Sequence, residues 1–356
     1  AAGGQKVPPL SGPLQKGRSG GLLRTCSASP WNTQTAMLNA IQCAPGVRPF
    51  HRADETQRTT KTRSVLPMPE LPEVEVVRRG LESVLSGQRL LRTEVRVLKL
   101  RWDINPKLDV LTRGQVVCAL KRRSKALLLA LEQGTLLIHL GMSGSLRIIA
   151  QAEAARTHDH LIWHFSGGLE LRLHDPRRFG SVLWFAKAVR ASNSQEGPEP
   201  GEGDLPDPVE AHFARLGPEP FVPAFNATRL FGMSRGRKVA VKPWLMSGSP
   251  VVGVGNIYAS EALFRAGIDP RRPAGRISRQ RYARLAEAVR EVLREAIEAG
   301  GSTLRDFVGS HGDPGAFQLR YAVYGRQGRP CLACGAEVRR EVLGQRSSFW
   351  CPQCQR

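Results

Sequence analysis

The sequence predicts an α+β protein in three successive parts: a strand-rich front, a helical middle and a metal-clamped end. Three observations carry this. Short runs of β-forming residues recur between 90 and 173, apolar residues return at helical spacing between about 225 and 309, and the chain closes on Cys331-Leu-Ala-Cys334 and Cys351-Pro-Gln-Cys354. At 356 residues there is room for two domains with separate cores.

The first 67 residues hold nine Lys and Arg against only Asp54 and Glu55, are rich in Ser, Thr, Pro and Gly, and show no sustained apolar period. Residues 1–67 therefore read as a disordered extension. It is either the product of a mis-set gene start, since Met68 stands where order begins, or an organelle transit peptide, which is also basic and acid-poor. From Leu71, the apolar residues Val74, Val77, Leu81, Val84 and Leu85 fall at helical spacing, with Gly87 as the stop. Strands follow at 90–98, 116–120, 126–132 and 135–140, with a Gln133-Gly134 turn before the last of these. A further pair, 161–165 and 169–173, is split by Ser-Gly-Gly. Short strands joined by tight turns suggest a β-sandwich over 69–190. Residues 191–208 are rich in Pro, Gly and Glu without periodicity, an acidic surface loop opening a linker that runs 191–224. Helices are expected at 237–248, 257–267, 279–299 and 303–309, within a helical domain spanning 225–320.

The final part, 321–356, is a zinc ribbon. Each CxxC holds two thiolates on one tight turn, and two such turns complete a tetrahedral site with a β-hairpin filling the sixteen residues between them. A pair of disulfides or four unrelated thiols would be the alternatives. With Cys331, Cys334, Cys351 and Cys354 all supplying sulfur, no position is left for water, so the single Zn2+ is structural and the chemistry lies elsewhere. Arg329, Arg339, Arg340 and Arg346 crowd this ribbon.

The formal net charge is +21, from 52 Lys and Arg against 31 Asp and Glu, which points to a polyanionic partner, above all nucleic acid, unless the charge serves solubility alone. No apolar run approaches a membrane span. Cys26, Cys43 and Cys118 fall in no pattern, which suits a reducing interior.

The run Met68-Pro69-Glu70-Leu71-Pro72-Glu73 carries the chemistry. If Met68 starts translation, the small ring of Pro69 permits its removal and leaves a secondary amine. An α-amine has a pKa of about 7.7–8.0, so a useful fraction is free at neutral pH. Its attack on a sugar C1′ gives an iminium that permits β-elimination of phosphate, with Glu70 and Glu73 within one helical turn as proton carriers. The same residues also read as ordinary helix-start design, with Pro near the first turn and acids behind it.

This start, together with the ribbon, resembles formamidopyrimidine-DNA glycosylase. Further segments that resemble the family are Lys121-Arg-Arg-Ser-Lys125, His139-Leu-Gly-Met-Ser-Gly-Ser-Leu146, Asp175-Pro-Arg-Arg-Phe-Gly180, Lys242-Pro-Trp-Leu-Met246, Val251-Val-Gly-Val-Gly-Asn-Ile-Tyr-Ala-Ser260 and Gln345-Arg346. The resemblance spans 69–356. It implies a β-sandwich with its N-terminal helix, a helix-two-turns-helix domain and a zinc hairpin, with DNA between the domains. It implies a bifunctional glycosylase and abasic-site lyase acting as a monomer on double-stranded DNA that contains oxidised purines, located in the bacterial cytoplasm with the nucleoid. Organelle import stays open if the extension is real. Pro69 would be the nucleophile, Glu70 the acid/base that opens the sugar, Glu73 a supporting carboxylate and Lys125 the hairpin lysine near the scissile phosphates. Met142, Arg177 and Phe179 would fill the hole left by an everted base. His139, Lys242, Asn256 and Arg346 join them in contacting DNA, and the glycines before Asn256 would let backbone amides approach a phosphate. Without the resemblance, Met142 and Phe179 read as core residues.

Two departures from the family matter. Gly309-Ser-His-Gly-Asp-Pro-Gly-Ala-Phe317 aligns with the loop over the everted base, where relatives commonly carry Lys-Pro-Gly-Tyr in place of Asp313-Pro-Gly-Ala316. With 67 residues attached, the Pro69 nitrogen is a tertiary amide and no nucleophile. Three alternatives follow. One is a non-catalytic damage-binding protein with Pro69 blocked. Another is an endonuclease VIII-like enzyme for oxidised pyrimidines, whose family usually has Gly where Leu71 stands. The third is a zinc-ribbon RNA-binding module.

Overall fold

Helix α1 (Leu71–Leu85) starts on Pro72 in its first turn and buries Val74, Val77, Leu81 and Leu85 on one face. These four enter the sandwich core, whereas Leu71 belongs to the core of the helical region, so α1 lies at the seam between the two. The chain leaves α1 through Gly87, whose φ of 79° is left-handed and suits glycine. The computed structural model describes residues 68–150, 153–187, 207–301 and 321–356. The extension, most of the acidic loop, the expected helix at 303–309 and the segment holding Asp313 and Ala316 lie outside the described residues.

Strands β1 (Leu90–Val95), β2 (Val117–Arg123), β3 (Ala126–Leu131), β4 (Gly134–His139), β5 (Ser145–Ala150), β6 (Asp159–Phe165), β7 (Leu169–His174) and β8 (Ser181–Ala186) form two sheets, with a short helix α2 (Leu108–Thr112) between β1 and β2. Their orders are β1-β6-β7-β5 and β2-β3-β4-β8, each antiparallel throughout. Leu127, Leu129, Leu136 and Ile138 of one sheet meet Trp163, Phe165, Leu171 and Leu173 of the other in a shared core. The expected sandwich is therefore present. β3 is apolar on both faces: Leu127, Leu129 and Leu131 point to that core, while Ala126 and Leu128 lie under Val209 and Phe213 of helix α3 (Pro208–Phe213).

That helix lies inside the segment expected to be a linker. Asp207 caps it by accepting the Val209 amide at 2.7 Å, and Pro208 takes the first helical position. The β3–β4 turn falls one residue earlier than expected, at Glu132-Gln133, because Leu131 pairs with Gly134. Gly134 is needed for packing, since a Cβ there would lie 2.5 Å from the Trp184 indole.

The helical region comprises α4 (Ala227–Ser234), α5 (Val241–Leu245), α6 (Asn256–Arg265) and α7 (Arg279–Glu298). The expected helix at 237–248 shortens to α5 because the Arg237 and Val239 carbonyls accept from Gly275 and Ala274, which draws this stretch away from helix. α4 was missed, although Asn226 caps it through the Arg229 amide at 2.9 Å. The C-terminal hairpin pairs β9 (Arg339–Leu343) with β10 (Arg346–Trp350) around a Gly344-Gln345 turn, both residues at positive φ. No helix among the described residues is long and apolar enough to cross a membrane.

Candidate active site

The two glutamates that follow Pro69 divide their work. Glu73 serves the helix start by accepting the Glu70 amide at 2.9 Å, and its other oxygen accepts the Tyr258 hydroxyl at 2.5 Å. Glu70 also reaches beyond its own helix. Its carboxylate reaches the start of α6 and accepts the amides of Gly255 at 2.5 Å and Ile257 at 2.9 Å. Unpaired amides and the dipole of a helix N-terminus favour an anion at that place. The glycines of Val-Gly-Val-Gly-Asn256, expected to admit a phosphate, here admit this carboxylate instead. A Cβ on Gly255 would stand 2.4 Å from Glu70 Cδ and 2.6 Å from Lys125 Nζ, and one on Gly253 would stand 2.5 Å from the Leu71 side chain.

Pro69, Glu70 and Glu73 are all buried. Burial pushes the Glu70 carboxyl up to about 7, against the pull of Lys125 and with a push from Glu73. A carboxyl at that value holds and releases a proton near neutrality, as a general acid/base must. Burial pulls the Lys125 ammonium down, opposed by Glu70 and Glu73 and reinforced by the positive charge of Arg346. Burial raises the Tyr258 hydroxyl well above its ordinary range, which keeps it a donor to Glu73. The Lys125 turn, the α1 start, the α6 start and the zinc hairpin tip thus meet at one seam. Tyr258 was missed because a tyrosine inside an apolar helix reads as core.

His139 lies at the end of β4, where its Nδ1 accepts the Gly141 amide at 3.0 Å. Burial, with Lys125 and Arg101 nearby, lowers the imidazole to about 4, so at neutral pH it is uncharged and carries its proton on Nε2. Met142 is half-buried and Phe179 is 42% exposed, neither belonging to a core cluster, so the reading of both as core residues fails. Arg177 is exposed, with its guanidinium 4.8 Å from the Phe179 ring centre. Asp175 ties these two loops together: it accepts the Ser143 hydroxyl at 2.7 Å and the Gly180 amide at 2.8 Å. Its motif was legible, but this stitching role was not.

Lys242, expected among the DNA contacts, is 1% exposed. Its ammonium donates to Asn256 Oδ1 at 2.7 Å, Ser348 Oγ at 2.9 Å and the Ser347 carbonyl at 3.0 Å. Three protons spent on three internal acceptors leave none for a phosphate. Lys242 instead ties β10 to the first residue of α6, and burial lowers it to about 7. Glu261, also missed, holds the approach to the hairpin by accepting the amides of Ala322, Val323 and Tyr324 at 2.8–3.1 Å. Arg346 is exposed at the hairpin tip.

The sulfurs of Cys331, Cys334, Cys351 and Cys354 all lie within 4.8 Å of one another, with Cys334–Cys351 at 3.4 Å and Cys331–Cys354 at 3.9 Å. A tetrahedron with Zn–S bonds of about 2.3 Å has edges of about 3.8 Å. Disulfides, at about 2.05 Å, do not fit these spacings. The four thiolates are built for one structural zinc, and the small apolar cluster of Val323, Val338 and Phe349 rests beside them.

A sandwich whose first helix carries acid/base carboxylates into the seam with a helical domain, followed by a basic zinc hairpin, defines a class of DNA-processing enzymes. Comparisons with known proteins narrow it. The model of the Formamidopyrimidine-DNA glycosylase N-terminal domain matches residues 68–182, that of the Formamidopyrimidine-DNA glycosylase H2TH domain matches 216–308, and that of the zinc finger found in FPG and IleRS matches 328–356. The formamidopyrimidine-DNA glycosylase of Pseudomonas paraeruginosa is 52% identical over 290 residues, covering 81% of this chain and 100% of that one; that of Bordetella petrii is 52% identical over 292 residues, with the same coverage. Among solved structures, the MutM (Fpg) protein of Thermus thermophilus is 38% identical with a TM-score of 0.66, covering 81% of this chain and 98% of that one. The Lactococcus lactis Fpg in complex with abasic-site DNA is 29% identical with a TM-score of 0.70, covering 81% and 99%. The chain belongs to the formamidopyrimidine-DNA glycosylase family.

Proposed function

We propose that this chain is a bifunctional DNA glycosylase and abasic-site lyase of base-excision repair, acting as a monomer on oxidised purines opposite cytosine in the bacterial cytoplasm. The observation that carries the reading is Glu70, a buried carboxyl at about 7 beside Lys125 and directly after Pro69. Family membership supports the same activity. With Pro69 as the free N-terminus, its nitrogen attacks C1′, the C1′–base bond breaks and the base leaves with the electron pair. Glu70 hands its proton to O4′ as the C1′–O4′ bond opens, and loss of the amine proton gives the iminium. That iminium acidifies C2′, the 3′-phosphate departs by β-elimination and the 5′-phosphate by δ-elimination, and water releases the sugar remnant and Pro69.

In this reading Glu73 holds the Glu70 amide, and Lys125, His139, Asn256 and Arg346 take phosphates. Met142 and Phe179 wedge into the stack, and Arg177 hydrogen-bonds the orphaned cytosine. Residues 69–190 supply the chemistry, while 225–320 and 321–356 hold the duplex. Zinc holds the hairpin in shape.

A strand-incision assay tests the proposal, using the chain from Pro69 on an 8-oxoguanine:cytosine duplex with a thymine-glycol duplex beside it. The expected product is a one-nucleotide gap with phosphate at both ends, formed faster on the oxidised purine. Binding of either duplex without incision would refute the enzyme reading, and faster incision of thymine glycol would refute the purine preference.

A further inference from the structure

The Ser124-Lys125 turn between β2 and β3 has an anchor outside the sandwich. Ser124 sits at φ 57°, a left-handed conformation that costs a non-glycine residue about 1 kcal/mol unless its surroundings hold it. What holds it is Glu219, in the stretch Gly217-Pro-Glu-Pro220 between α3 and α4. Glu219 Oε1 accepts the Ser124 amide at 2.7 Å and Arg123 Nη1 at 3.0 Å, and Oε2 accepts Arg122 Nη1 at 2.7 Å. Arg122 in turn donates to the Ser124 carbonyl at 2.9 Å and to Glu75 of α1 at 3.1 Å. One carboxylate and the arginine it grips therefore fix both polar backbone groups of the turn residue. The pair is shielded, with Arg122 10% and Glu219 19% exposed. Such charge-assisted bonds are shorter and stronger than neutral ones. The anchor is itself pinned to the helical side: Arg123 Nη2 donates to the Gly217 carbonyl at 2.8 Å, and a Cβ on Gly217 would lie 2.3 Å from the Ser249 carbonyl oxygen.

We infer that Glu219 is a positioning residue for Lys125. The linker carboxylate sets the turn so that the next residue, Lys125, presents its ammonium beside Glu70 and the start of α6, which links the relative placement of the two domains to the phosphate grip. This rests on the proposed role of Lys125 at DNA phosphates. Glu219 itself reaches no substrate. In the sequence it read as part of a Pro- and Gly-rich connection, and nothing there signalled a partner 95 residues away.

The test is a double-mutant cycle on the full chain, read as affinity for a duplex carrying a tetrahydrofuran abasic-site analogue across a salt series. Binding does not require a free Pro69 amine, so the result is independent of the incision assay. Lys125→Ala is expected to weaken binding about tenfold and to lower the salt slope by about 0.9. Glu219→Gln should do nearly the same, and the double variant should be no worse than either single within about twofold. Paired with Arg346→Ala, Glu219→Gln should multiply, because the bonds of Glu219 hold the β2–β3 turn and not the hairpin backbone. A general folding defect would couple to both partners equally. If Glu219→Gln lowers the melting temperature enough to unfold the chain, Arg123→Ala, which removes one bond to the same carboxylate, goes through the same cycle with the same expectation. Multiplying effects of Glu219→Gln and Lys125→Ala, or unchanged affinity in Glu219→Gln, would overturn the inference. A Lys125→Ala variant that binds as the parent does, or a parent that does not bind, would overturn it by removing the DNA reading beneath it.

Discussion

Glu70→Gln, made in the chain beginning at Pro69, is expected to cut incision of 8-oxoguanine DNA by between about 100-fold and 10,000-fold, the range a positioned general acid supplies. The loss should come with a change in pH profile. In the parent, the productive state needs Glu70 protonated, with its pKa at about 7, and the Pro69 amine free. An α-amine titrates at about 7.7–8.0. The protonated fraction of Glu70 falls as pH rises past about 7 and the free fraction of the amine falls as pH drops below its own value, so their product is a narrow bell centred between the two pKa values, with its limbs outside them. In Glu70→Gln the alkaline limb should vanish, leaving only the rise set by the amine. An unchanged bell in the variant would assign the acid to another group. On a pre-formed abasic site, whose sugar is already in equilibrium with its open aldehyde and so needs no proton on O4′, the loss should be smaller.

Removing the metal is expected to have the second large effect. Structural zinc contributes on the order of 10 kcal/mol to the folding of such modules. Cys351, fully buried in the hairpin cluster, is the ligand whose replacement by serine should release it. The consequence extends past the hairpin. Lys242 would lose Ser347 and Ser348 and keep only Asn256 as an acceptor, leaving a buried ammonium under-satisfied at the start of α6. Affinity for abasic-site duplex should fall roughly 100-fold, about 2.7 kcal/mol, in Cys351→Ser or after chelation, while the far-ultraviolet signature of the sandwich persists. Elemental analysis should find one zinc per chain in the parent. Full DNA affinity in a zinc-free chain would contradict the assignment of a holding role to the hairpin.

The parts of this molecule that were legible in its sequence are those whose cause is local. Two CxxC turns encode their own geometry, and the period of Val74, Val77, Leu81 and Leu85 encodes the buried face of α1. The uninterrupted run of β3 is explained by its two buried faces, and the second of these needed α3, a helix that reads as linker because it is one turn and a half long. Glu70 and Glu73 show where local reasoning stops. Both fit a helix start, and only the tertiary structure separates Glu73, which caps, from Glu70, which crosses to an amide pair 185 and 187 residues away. Lys242 failed for the same reason in reverse. Its segment resembles the family and so implied a DNA contact, but sequence reports the charge of a lysine and not its burial. Tyr258, Glu261 and Glu219 act on partners that only folding brings near, and none sits in a spacing that announces a role.

Whether the nitrogen of Pro69 forms a covalent bond to DNA separates a repair enzyme from a protein that only recognises damage. Borohydride trapping on an 8-oxoguanine:cytosine duplex measures this most directly, comparing the full chain with one that begins at Pro69 and with that shorter chain after its terminal amine has been acetylated. A trapped complex from the chain beginning at Pro69, with none from the full chain, whose Pro69 nitrogen is an amide, is the predicted result. If neither chain traps while both bind the duplex, Pro69 is not the nucleophile, and the protein recognises damage without acting on it.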